Sequence, residues 1–314
     1  MAMRRLHQRR IAPSRVRGWL RLLSRWFLCL VIIGGVPLYF AAELSSSAYT
    51  ASSPWSVLAR LHEKPSPLRW PAAHRGDSAS GPENSLPAIR GAAQAGVPLI
   101  EVDVRRNVDG TLFLYHDPHL DRGKVIAPSR LVGRRVSSLS DDELGSVRYP
   151  GATAVGLATY AQALEAIKPY YTALQLDVRG ESLAVIDQAL RIAREQNQAH
   201  QIVVQCQRLS TLASMRQRYP DIAVLARSHS IADIRRAYRK LPDIIQIDEQ
   251  WLTPELLREI HLAGSKILVK SLYAMDTPEH WHRLFAMGVD IVLTDKAVQM
   301  VHHFGRPRWI YSTP

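Results

Sequence analysis

Cysteine is nearly absent, with two in 314 residues. Cys29 lies in an apolar run near the N-terminus, so Cys206 stands alone in the bulk of the chain and no disulfide can staple a domain there. The same scarcity excludes a thiolate zinc site, which needs several cysteines at close spacing. Acidic residues are missing from the first 25 positions, which carry eight arginines. Setting those arginines aside leaves 32 basic and 28 acidic residues, so the net charge of +12 falls to +4. The basic excess is therefore local. It suits a tail beside a membrane better than a nucleic-acid surface spread over a domain. No Gly-rich dinucleotide loop follows the first strand candidate, which argues against a nucleotide-binding open sheet. The composition of the whole chain, 46% hydrophobic and 22% charged, is that of a globular protein.

Residues 26–42 read WFLCLVIIGGVPLYFAA, 17 positions without a charge. A membrane-spanning helix needs about 20 apolar residues and at least about 17. A cleaved signal peptide competes with this reading, with Ser46-Ser47-Ala48 as its cleavage site. The long basic region 1–25 favours an uncleaved anchor. In either case Arg-rich flanks stay cytoplasmic, so the chain after Glu43 is expected outside the cytoplasm, in the periplasm of a bacterium. Residues 43–69, rich in Ser and Pro, read as a tether and lead-in, and 70–314 as one unit of 245 residues.

Apolar runs alternate with helical patterns through that unit. Strands are expected at 70–74, 98–103, 111–116, 172–178, 201–206, 221–226, 243–247, 265–269 and 289–293. Helices are expected near 84–95, 158–168, 181–197, 210–218, 230–240, 253–263, 277–287 and 295–303. Only seven residues, including Asn107-Val108-Asp109-Gly110, join the second and third strands. A parallel crossover needs a dozen or more, so 111–116 must fold back as a hairpin. Eight strands, each followed by a helix, remain. The expected fold is a (β/α)8 TIM barrel with a short hairpin at its mouth, preceded by a transmembrane helix.

Barrel enzymes place their chemistry at the C-terminal ends of strands. Alternation puts Leu99, Glu101 and Asp103 on one face of their strand, and Gln175, Asp177 and Arg179 on one face of theirs. Three carboxylates converging in a barrel mouth are costly unless a cation neutralises them. An oxygen-only set favours one Mg²⁺ or Ca²⁺. The plainer alternative is a salt-bridge network with Arg75, Arg105 or Arg179. His74 and His116 end strands at the same mouth and suit acid–base work. Arg75 could fork onto an anion. The histidines at 119, 200, 229, 261, 280, 282, 302 and 303 fall in loops or helices and receive no role. A divalent cation, two histidines and arginines together fit a phosphate ester.

At this point the sequence resembles the glycerophosphodiester phosphodiesterase family. His74-Arg75-Gly76 with Pro82-Glu83-Asn84-Ser85 is similar to its HRG…PEN[TS] opening. Ile100-Glu101-Val102-Asp103-Val104 is similar to its IExDV strand, and Asp109-Gly110 with His116-Asp117-Pro118-His119-Leu120-Asp121-Arg122 to its DG…HDxxLxR segment. Gly288-Val289-Asp290-Ile291-Val292-Leu293-Thr294-Asp295 is similar to its GVDxIxTD close. The resemblance implies a barrel that hydrolyses glycerophosphodiesters to an alcohol and glycerol phosphate. It implies His74 and His116 as the acid–base pair and Glu101 and Asp103 as metal ligands; Pro82-Glu83-Asn84 is read as organising the first helix.

Some positions depart from the family pattern. Its IEIK strand is here Leu176-Asp177-Val178-Arg179, a shorter carboxylate that can still bind metal and a different cation. Its strand ending in SF is replaced by Cys206-Gln207, and its WTVN strand by Lys270-Ser271-Leu272-Tyr273. Lys270 at the pocket wall is expected to favour an anionic or hydroxyl-rich leaving group over choline; the plainer reading ties it to Asp177 or Asp248.

The expected activity is metal-dependent hydrolysis of a glycerophosphodiester by a membrane-tethered barrel, with Arg75, Arg179 and Lys270 binding substrate. A lysophospholipase D or phospholipase C-like attack on lysophospholipid head groups is a second reading. A non-catalytic phosphodiester-binding barrel is a third. The orientation has a direct test. A reporter fused after Pro314 should be active outside the cytoplasm, and activity confined to the cytoplasm would overturn it.

Overall fold

The computed structural model of the protein describes residues 55–63, 68–180 and 182–306. The expected anchor at 26–42 lies outside the described residues. Among the described residues no helix is long and apolar enough to cross a membrane.

The chain enters through a five-residue helix, α1 (Val57–Leu61), followed by β1 (Trp70–His74), α2 (Leu86–Ala95), β2 (Leu99–Arg106) and β3 (Leu112–Leu114). An excursion then forms α3 (Asp141–Gly145) and the pair β4 (Arg148–Tyr149) and β5 (Ala152–Gly156) before α4 (Tyr160–Ile167). From there strand and helix alternate without interruption: β6 (Ala173–Val178), α5 (Leu183–Glu195), β7 (Ile202–Cys206), α6 (Leu209–Arg218), β8 (Ala223–Arg227) and α7 (Ile231–Tyr238). The last units are β9 (Ile244–Ile247), α8 (Pro254–Leu262), β10 (Lys266–Ser271), α9 (Pro278–Met287), β11 (Ile291–Thr294) and α10 (Ala297–Phe304).

The sheet runs β1-β11-β10-β9-β8-β7-β6-β2-β3, and β1 also pairs with β2. Eight parallel strands thus close into a barrel. β3 pairs antiparallel with the C-terminal end of β2, Val104 opposite Leu114, as the short connection requires. Helix ends follow local chemistry. Thr253 and Thr277 cap α8 and α9 through their side chains, each with Pro in the first turn, and Gly288 closes α9 at φ 103°.

Strand alternation divides the interior. Ile100, Val102, Leu174, Leu176 and Val204 pack outward onto the helices. Trp70, Leu99, Ala173, Val203, Leu225, Ile244, Leu268 and Ile291 point inward and fill the floor at the strands' N-terminal ends. Trp55, Val57 and Leu61 join that floor cluster. The lead-in within 43–69 therefore includes a plug, which the Ser/Pro-rich composition concealed. The excursion 115–147 has a small core of its own, built on Tyr115, Leu120, Leu131, Leu139 and Leu144.

Leu61 is fully buried in the floor. Leu61→Ala should lower unfolding free energy by about 2–5 kcal/mol, the usual range for a buried leucine. Denaturant melts would show this, and turnover per folded molecule should be unchanged because the mouth is at the other end.

Candidate active site

β2 and β6 are register partners, with Asp103 beside Asp177 and Glu101 beside Gln175. One oxygen each of Glu101, Asp103 and Asp177 lies within 4.8 Å of the others, and all three residues are buried. The shorter Asp177 still reaches the cluster. Burial, followed by the charges of Asp103 and Asp177, raises the Glu101 carboxyl well above the ordinary carboxylate range.

Cations and donors hold this acidic group together. Arg179 Nη1 bonds Asp177 Oδ2 at 2.7 Å and lies 3.4 Å from Asp103 Oδ1. Arg75 Nε is 3.1 Å from Asp103 Oδ2, close enough for ion pairing although without hydrogen-bond geometry, while its Nη1 donates to Glu83 Oε2 at 2.6 Å. The backbone N–H of Arg75 donates to Glu101 Oε2. The salt-bridge network that the sequence left as an alternative is thus present, yet it is incomplete: Asp103 Oδ1 is buried without a hydrogen-bond partner. An all-oxygen trio with one orphaned acceptor fits a hard divalent cation.

Pro82-Glu83-Asn84 does lead into the first barrel helix, but the residue that caps it is Ser85. Asn84 is fully buried, donates its Nδ2 to Asp103 Oδ2 at 2.9 Å and accepts the Asp103 backbone N–H at 3.0 Å. That two-way clamp fixes the carboxylate. Asn84 makes that clamp from φ 59°, a left-handed conformation that asparagine adopts readily, while Arg75 sits at φ 60°, which a long side chain holds only when its surroundings impose it. Gly76 at φ 97° makes the turn between them possible, since a Cβ there would sit 2.8 Å from Ala88.

Both histidines stand at this mouth, each with its Nδ1 on a carboxylate. His74 Nδ1 meets Asp295 Oδ1 at 2.8 Å, and His116 Nδ1 meets Asp117 Oδ1 at 2.7 Å. A carboxylate only accepts, so Nδ1 carries the proton and Nε2 of each ring is left for chemistry. Arg179 Nη2 approaches His116 Nε2 at 3.4 Å. Arg105 bonds the carbonyls of Tyr115 and His116 and fixes the loop that carries the ring. Lys124 bonds Asp117 at 2.6 Å. Burial pushes Asp117 up, but the hydrogen bonds from Lys124 and His116 outweigh it and hold the carboxyl below its usual range. The hydrogen bond from His74 lowers Asp295 in the same way. Asp295 sits in the terminal motif and Asp117 beside His116. A carboxylate expected next to each histidine was the signal that could have found them.

Lys270 is at the end of β10 on the inner face, as alternation requires. Among the described residues it forms no ion pair, so the plainer reading of a salt bridge to Asp177 or Asp248 is not realised, although the charges of Glu101 and Asp177 act on it.

The chain matches the model of the glycerophosphoryl diester phosphodiesterase family over residues 74–299. Glycerophosphoinositol inositolphosphodiesterase of Homo sapiens is 41% identical over 61 residues, 18% of this chain and 11% of that protein. A Mycobacterium tuberculosis protein named "Probable glycerophosphodiester phosphodiesterase 2" is 25% identical over 72% of this chain and 86% of its own length. The chain thus spans about a tenth of the first relative's length and most of the second's. The structure of a phosphodiesterase from Oleispira antarctica, solved with the product sn-glycerol-3-phosphate, superimposes with TM-score 0.64 at 21% identity, over 76% of this chain and 97% of that one; this likeness shows the fold. Taken with the match across 74–299, the chain belongs to the glycerophosphoryl diester phosphodiesterase family, a family of phosphoric diester hydrolases.

Proposed function

We propose that the protein hydrolyses a glycerophosphodiester to an alcohol and glycerol phosphate. The observation that carries this reading is the convergence of the Glu101, Asp103 and Asp177 oxygens within 4.8 Å at the mouth that also holds two carboxylate-oriented histidines. Glu101, Asp103 and Asp177 would hold one divalent cation, Mg²⁺ or Ca²⁺, whose charge would neutralise phosphoryl oxygens when bound. Arg75 and Arg179 bind the phosphodiester beside it. Arg75 keeps Nη2 without a partner among the described residues, and Arg179 links the carboxylates to His116. Nε2 of one histidine takes the proton of the nucleophile, and as the new P–O bond forms Nε2 of the other protonates the oxygen of the leaving alcohol, whose bond to phosphorus breaks. If the nucleophile is a glycerol hydroxyl, water opens the resulting cyclic phosphate by the reverse proton transfers. Asp117 and Asp295 fix both rings and stabilise the imidazolium when it forms. The relative solved with sn-glycerol-3-phosphate supports glycerol phosphate as the retained product.

A lysophospholipid head group is the second reading. Tyr273 and Met275, on the loop that follows β10 at the mouth, are 83% and 51% exposed, and Tyr273 is held at φ 57°. An exposed aromatic and thioether at that rim would meet an acyl chain or a bilayer surface. The membrane tether expected from residues 1–42 belongs to the same proposal.

Product release from a panel of glycerophosphodiesters and lysophospholipids, with and without chelator, tests both readings. Short diesters should be cleaved only with metal present; full activity in excess chelator would sink the metal assignment. His74→Ala and His116→Ala should each lower turnover by about 10²–10⁴-fold with the fold intact. Near-normal turnover in either variant would remove that histidine from the acid–base pair. Metal should also raise the melting temperature, because it relieves repulsion among the three carboxylates. Proton and cation compete at Glu101, so the rise should shrink as pH falls, and Glu101→Gln should abolish it. A rise of equal size in Glu101→Gln would exclude Glu101 as a ligand.

A further inference from the structure

Across the barrel from β2 and β6, the wall of the mouth is basic where the acidic trio has no counterpart. Arg227, Gln246 and Lys270 come from the consecutive strands β8, β9 and β10. Arg227 is the register partner of Gln246, and Gln246 that of Leu268, two residues before Lys270. Leu225, Ile244 and Leu268 precede these residues by two and lie in the inward floor cluster, so the three side chains share the inner face. Arg227 and Lys270 are half-buried, and among the described residues neither side chain forms an ion pair or a hydrogen bond. They are near enough for the charge of Arg227 to act against that of Lys270. Gln246 is 2% exposed, and its Oε1 is buried without a partner.

Two like charges set side by side in a partly dry wall repel each other, and each gives up hydration. Elsewhere in the mouth the cations are matched: Arg75 by Glu83 and Asp103, Arg179 by Asp177, Lys124 by Asp117. Glu101 and Asp177 attract Lys270 without forming an ion pair with it, and among the described residues the Arg227 guanidinium has no ion-pair partner either. An anion placed between the two cations would satisfy both, and a hydroxyl beside it could donate to the orphaned Gln246 Oε1.

We propose that Arg227 and Lys270, with Gln246 between them, form a second anion subsite that receives the leaving alcohol of the phosphodiester. The preferred substrates are then diesters whose alcohol is hydroxylated and carries a phosphate monoester of its own. This inference rests on the phosphodiesterase reading above for its substrate class. It deepens the expectation for Lys270 alone by adding the arginine, the acceptor and the second charge.

The test compares kcat/KM for glycerophosphoinositol and glycerophosphoinositol 4-phosphate in the parent and in R227Q/K270Q, with metal present. The parent should favour the phosphorylated diester by about tenfold or more, the effect expected of charge-assisted hydrogen bonds. The double variant should lose that preference. No preference in the parent, or the same ratio in both proteins, overturns the subsite. Calorimetric titration with myo-inositol 4-phosphate in chelator reads the subsite without turnover. Kd should weaken by about tenfold or more in R227Q/K270Q, and an equal Kd overturns the proposal. If neither diester is cleaved, the phosphodiesterase reading fails, and the two Kd values alone decide the subsite.

Discussion

Repulsion among Glu101, Asp103 and Asp177 is the constraint around which the mouth of this barrel is organised. Parallel pairing of β2 with β6 sets Asp103 beside Asp177, and alternation adds Glu101 on the same face. Nothing in the strands themselves relieves that crowding. The relief comes from elements that converge on it: Arg75 after β1, Asn84 before α2 and Arg179 after β6. Holding Arg75 and Asn84 in place takes two left-handed backbone conformations within ten residues, bridged by a glycine packed against α2. Such strain persists where the surroundings over-determine it. Here the over-determination is the two-way clamp between Asn84 and Asp103.

The barrel was legible because its signals are local and repeated. Period-two alternation sorted Leu99, Glu101 and Asp103 from Ile100, Val102 and Val104, and the structure keeps that division. Seven connecting residues forced 111–116 to turn back, and β3 does so. What the sequence concealed depends on contacts between distant positions. Trp55 and Leu61 sit in a stretch whose Ser and Pro content reads as linker, yet the open floor of the barrel gives their apolar side chains somewhere to go. Asn84 and Asp295 follow motif residues that local rules explain as a helix start and a strand end. Their bonds to Asp103 and His74 span 19 and 221 positions. The pairing of β4 with β5 has only two and five residues to announce it.

The departures from the family pattern are coupled. Asp177 is a methylene shorter than the glutamate it replaces, and Arg179, two residues on, bonds one of its oxygens while Gln207 bonds the other. Arg179 also reaches toward His116, so one side chain contacts two carboxylates and an imidazole. A lysine has one compact ammonium and could not span these three partners in a single plane; the guanidinium fork can. Asp177 and Arg179 therefore work as one unit in this mouth.

The excursion between β2 and α4 brings a different consequence. It carries His116, Asp117 and Lys124, and its apolar residues Leu120, Leu131, Leu139 and Leu144 form a cluster separate from the barrel's. Segments with independent small cores open at lower free energy than the domain that carries them. The excursion can therefore come loose as a cooperative unit while all eight barrel strands stay paired. Such an opening would take away one histidine and leave the carboxylates and the other behind. Amide hydrogens across 115–147 would then exchange ahead of those in the barrel strands, and the fraction of competent enzyme would fall with warming before any global melt. The ceiling on working temperature would then be set by the small core of an inserted loop rather than by the barrel.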